Sequence, residues 1–151
     1  MQSQNRFDRA LNSLYEGFYN GDLHPEDACR CAVGTLCDGW SAWKHFSDSH
    51  GSLKLNYVGR VHEGIGRRYF GYLPSELLKI EAAFLAGCGY HLPLDHRALR
   101  PDNPSDPDVL YKGLLAAIKE LCALEGREDI LPHTSALEQV FHKKKLKLKS
   151  A

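Results

Sequence analysis

Apolar residues recur three and four positions apart along most of the chain, and each such run predicts a helix with one apolar face. The first run is Phe7, Ala10, Leu11, Leu14 and Phe18, one side of an amphipathic helix that Gly21 would stop. Pro25, followed by Glu26 and Asp27, suits the first turn of a second helix, where proline lacks nothing and acids meet the positive dipole end. Ala28, Cys31 and Ala32 would share its inner face and Gly34 would end it. Between residues 38 and 52 the periodicity fails, leaving a loop or broken helix pinned by Trp40, Trp43 and Phe46. Leu53, Tyr57, Val61 and Ile65 then recur every four residues and predict another helix, closed by Gly64 and Gly66. Residues 67–72 can be read as extended. Pro74 opens the clearest mid-chain helix, with Leu77, Ile80, Phe84 and Cys88 on one side and Gly87 and Gly89 at its end.

Residues 90–105, with Pro93, Pro101 and Pro104, are irregular by composition. Asp106-Pro107-Asp108 reads as a cap followed by proline at the first helical position, launching a helix that turns Leu110, Leu114, Ile118, Leu121 and Cys122 inward and stops at Gly126. Ser135-Ala136-Leu137-Glu138 has the spacing of a capping box ahead of Val140 and Phe141. Five or six helices against at most one doubtful strand predict an all-α fold, a small irregular bundle. Residues 1–141 form a single helical domain on this reading, and 142–151 a basic C-terminal tail. No internal repeat is visible.

Length and composition fit that picture. The chain has 151 residues, 43% of them hydrophobic and 25% charged, which suits one domain with a real core and excludes collagen-like or wholly disordered chains. No apolar run approaches the roughly 18 residues of a membrane span. The polar start of the chain has no apolar signal core, so a cytoplasmic address is expected. Nineteen basic and nineteen acidic residues cancel, but five lysines and no acid lie in the last ten residues, leaving the body mildly acidic. Nucleic acid or anionic lipid would therefore be attracted by the tail alone, and a protein partner is otherwise open.

The chemistry lies in five cysteines: Cys29, Cys31, Cys37, Cys88 and Cys122. An odd number in a chain of this size, with no export signal, does not suit a disulfide framework. Cys29-Arg30-Cys31-Ala32-Val33-Gly34-Thr35-Leu36-Cys37 is the densest segment. On a regular helix, at about 100° per residue, Cys29 and Cys31 point nearly opposite ways. A left-handed Gly34 would instead turn Cys37 back toward Cys31. Cys31 and Cys37, with Cys88 as a third ligand and His50 as a fourth, make the expected metal set; His45 and Cys29 are alternatives for the last position. Zinc or an iron–sulfur cluster is the group such ligands would hold.

Two other readings stand beside it. Cys31 between Ala28 and Ala32, Cys88 after Phe84 and Cys122 after Ile118 all suit small core residues, in a helical interaction module without enzymatic activity. Cys37, His50 and Asp48 can also be drawn as nucleophile, base and orienter. Gly64-Ile65-Gly66-Arg67-Arg68 has the composition of a phosphate loop, but its glycines close a helix rather than open one.

Asp27-Ala28-Cys29-Arg30-Cys31-Ala32-Val33-Gly34-Thr35-Leu36-Cys37, Ser49-His50-Gly51-Ser52-Leu53-Lys54-Leu55-Asn56-Tyr57-Val58-Gly59 and Gly71-Tyr72-Leu73-Pro74-Ser75-Glu76-Leu77-Leu78-Lys79-Ile80-Glu81 resemble short bacterial proteins commonly labelled as the F subunit of the Na+-translocating NADH:quinone reductase. The resemblance covers roughly residues 7–141. Cys31 and Cys37 reproduce the C-x5-C half of the reductase's ferredoxin motif, and Trp40 stands where the next cysteine would be.

Overall fold

The structure, a computed structural model, describes residues 2–48, 50–92, 101–127 and 131–150. Ser49 and Pro93 lie outside them. Among the described residues six α-helices carry the fold: α1 (Gln2–Asn20), α2 (Ala32–Leu36), α3 (Tyr57–Gly64), α4 (Pro74–Gly87), α5 (Pro107–Leu124) and α6 (Leu131–Ser150). A 3₁₀ turn, Ala42–Phe46, precedes α3. Among the described residues there is no strand. Residues 67–72 form a tight turn closed by one antiparallel bridge, Tyr69 to Tyr72, with Phe70 and Gly71 at positive φ. The chain is thus the small all-α bundle that its periodicity predicts.

The long helices bury the faces read from the sequence. Phe7, Ala10, Leu11, Leu14 and Phe18 of α1 are buried, as are Leu77, Ile80 and Phe84 of α4 and Leu110, Leu114, Ile118, Leu121 and Cys122 of α5. The α4–α5 pair is the most extensive helix contact. Gly113 makes it possible: a Cβ there would lie 2.3 Å from the Cys88 Sγ and 3.0 Å from the Phe84 ring. Asp106 caps α5 through the Asp108 N–H, as expected. At one end, Arg6 of α1 is buried against the Tyr72 ring, 2.6 Å from Glu125 and 3.3 Å from Glu76, which ties α1 to α4 and to the cap of α5.

Four boundaries differ from expectation, each for a local reason. The helix expected to start at Pro25 is a series of turns instead. The Asp27 side chain takes the Cys29 N–H and the Cys31 sulfur takes the Gly34 N–H, so the helix cannot begin before Ala32. Gly34 does not end it in a left-handed turn; it lies inside α2, where a Cβ would meet the Ala28 carbonyl oxygen at 2.2 Å. Asp38 and Gly39, both at positive φ, make the turn. The helix predicted from Leu53 starts after Asn56, whose side chain caps it through the Gly59 N–H. Last, α6 runs from Leu131 past Ser135 and through the lysine-rich segment to Ser150. Lys144 is buried there, its ammonium over the Phe18 ring.

Candidate metal centre

Glu81 sits in the middle of α4, on the same side as Leu77 and Leu85, and is only 2% exposed. An acid buried on an apolar helix face needs partners. Its Oε1 accepts the backbone N–H of Val33, in α2, at 3.1 Å. Its Oε2 is buried without a hydrogen bond and lies 3.8 Å from the His50 Nε2. His50 comes from the loop after the 3₁₀ turn. Its Nε2 is 2.8 Å from the Pro25 carbonyl oxygen, while its Nδ1 is buried and makes no hydrogen bond.

The third member is Cys31, fully buried as the N-cap of α2. Its sulfur accepts the Gly34 N–H at 3.4 Å and donates to the Ala28 carbonyl at 3.6 Å. The same carbonyl accepts the Trp43 indole N–H at 2.9 Å, which holds that ring edge-on to His50 with the centroids 6.0 Å apart. One ligand atom each from Cys31, His50 and Glu81 lies within 4.8 Å of the others, the one such group of three among the described residues.

The electrostatics of this arrangement are lopsided. Burial pushes the Cys31 thiol well above its ordinary pKa, and the facing Glu81 carboxylate pushes it further. Burial also raises the Glu81 carboxyl, against the opposing pull of His50, the Cys31 thiol and the Val33 N–H. Two acids this close in an apolar interior cannot both ionise unaided. A dication between them would cancel a thiolate and a carboxylate and leave no net buried charge.

The expected ligands fare differently. Cys31 and His50 are brought together. Cys37 is buried at the opposite end of α2, about 9 Å along the helix axis at ~1.5 Å per residue; burial and the nearby Asp38 push its thiol up to about 12. Cys88 caps the C-terminus of α4. Burial and the charge of Glu81 push its thiol up to about 12 as well, but it is outside the three-ligand group. Of the alternatives, His45 and Cys29 are exposed. The drawn set of Cys37, His50 and Asp48 is not gathered at one point, and Asp48 is exposed.

Glu81 is absent from the expected set, although the sequence carries its signal. It lies four residues from both Leu77 and Leu85, so helical periodicity puts it on the buried side. One thiolate, one imidazole and one carboxylate are ligand types that suit zinc. A single thiolate is too few for an iron–sulfur cluster. No family model, no curated protein and no solved structure matches the chain.

Proposed function

We propose that the protein binds a divalent transition-metal ion, zinc above all, through the Cys31 thiolate, the His50 imidazole and the Glu81 carboxylate. One observation carries this reading: three ligand atoms from three separate segments converge within 4.8 Å, with Glu81 buried and its Oε2 lacking a hydrogen bond. Thiolate ligation also suits a reducing, cytoplasmic setting, in which all five cysteines stay free.

A cysteine-nucleophile enzyme fits the same residues less well. Catalytic thiols are activated by a lowered pKa and are reachable. Cys31 is fully buried, and Glu81 acts on the thiol itself, raising its pKa.

Metal analysis of protein purified without chelator tests the proposal, followed by titration of stripped protein with Zn2+ and Co2+. One equivalent of zinc, with a sulfur-to-cobalt charge-transfer band that vanishes in Cys31→Ala, is the expected result. Less than about a tenth of an equivalent after reconstitution, with an unchanged melting temperature, overturns it.

A further inference from the structure

Six of the eight exposed large apolar side chains among the described residues fall between positions 53 and 70, and all of these but Phe70 lie in α3 or within four residues of it. Tyr57 and Val61 of α3 and Ile65 at its C-cap follow one line at intervals of four. Val58 stands beside them, and Leu53 precedes the helix. Tyr57 is 73% and Ile65 68% exposed. The opposite side of α3 is fully engaged. Gly59 is pressed on the Phe46 carbonyl, His62 pairs with the Tyr69 hydroxyl, and Glu63 accepts both the N–H and the hydroxyl of Ser75. The helix is held with its apolar side outward, the reverse of an ordinary surface helix.

The exposed charges of this segment are cations, of which Arg68 lies 3.5 Å from Glu76 of α4. Lys54, Arg60, Arg67 and Arg68 are exposed, and the one acid between 53 and 70 is Glu63, already bound to Ser75. A second copy of the chain would bring these cations face to face, which disfavours self-association. Protruding apolar and tyrosine side chains ringed by Lys and Arg match an anionic membrane surface. The former enter the headgroup boundary and the latter remain among the phosphates.

We infer that α3 with its flanking cations is a peripheral docking surface for anionic lipid. This inference is independent of the metal proposal and applies equally to stripped protein. Co-sedimentation with phosphatidylcholine vesicles, with and without about a third phosphatidylglycerol, tests it. At least about tenfold stronger partitioning onto the anionic vesicles is expected, weakened by salt. Both Tyr57→Ser with Ile65→Ser and Arg60→Ser with Arg67→Ser should lower it about tenfold or more, without changing the circular dichroism spectrum. Equal binding to both vesicle types overturns the proposal. So does full binding by the Tyr57/Ile65 variant, which would hand the effect to the lysines of α6. Absence of vesicle binding overturns it too, as does concentration-dependent dimerisation abolished by Ile65→Ser, which would make the occupant a protein.

Discussion

Glu81 Oε1 accepts the Val33 N–H at 3.1 Å, so the middle of α4 is fastened to the backbone of α2 by a side chain that also faces Cys31 and His50. Glu81→Gln keeps an oxygen for Val33 but removes the charge. Zinc affinity of this variant, measured by competition with a chromophoric chelator, should fall by about a hundredfold or more while the fold persists.

The same substitution has a pH signature in stripped protein. A carboxyl whose pKa is higher folded than unfolded holds its proton better in the folded chain. Stability therefore falls as pH rises from the ordinary 4.5 to the raised folded value of Glu81, and stays lower above it. Glu81→Gln escapes this loss. At pH 7 it should melt a few degrees above the stripped wild type, and at pH 4 the two curves should coincide; a wild type that is the more stable at pH 7 would refute the assignment.

Metal affinity should move the opposite way with pH. Cys31 must lose its proton to bind, and its thiol is raised well above the usual value. Each proton released on binding steepens affinity by about tenfold per pH unit. Calorimetry in buffers of different ionisation enthalpy would count those protons, and affinity independent of pH between 6 and 8, on the order of the usual assay range, would contradict thiolate ligation.

Thiol labelling separates the five cysteines. Cys29 is exposed and the other four are buried, with the Cys37 and Cys88 thiols pushed up to about 12. Iodoacetamide at pH 8 should label Cys29 within minutes, roughly the rate of a free thiol, and the rest only after unfolding. Peptide mass spectrometry reads the outcome, and early labelling of Cys31 would revive the nucleophile reading.

Gly113→Ala puts a methyl carbon 2.3 Å from the Cys88 sulfur, well inside contact distance. Separating α4 from α5 there should cost about 1–3 kcal/mol in urea unfolding. Cys88→Ala should recover part of that loss in the double variant, because the obstructing atom is gone.

The long helices are legible because each needs only its own periodicity: α1, α4 and α5 bury the predicted faces. The row Leu53, Tyr57, Val61 and Ile65 also announces a helix. Which way that row faces depends on Gly59 meeting Phe46 across the chain, a contact that no local spacing encodes. The centre is half legible. Cys31 and His50 stand out as metal-binding residue types, whereas Cys37 joins them only if Gly34 reverses the chain. The close passage of the Ala28 carbonyl keeps Gly34 in a helix instead. Glu81 is hidden because an acid on a mostly apolar helix looks like a solvated position until its neighbours at intervals of four are counted.

Cys31 and Glu81 are separated by fifty positions in the chain, and His50 comes from a loop between them. No pair of these ligands is close along the sequence, so the unfolded polypeptide offers an ion nothing resembling the finished cage. If the proposed site takes zinc, capture of the ion would follow the docking of α4 on the early turns, and the ion would act as a late lock on folding rather than its template. Refolding rates should be indifferent to zinc, while unfolding of the loaded protein slows.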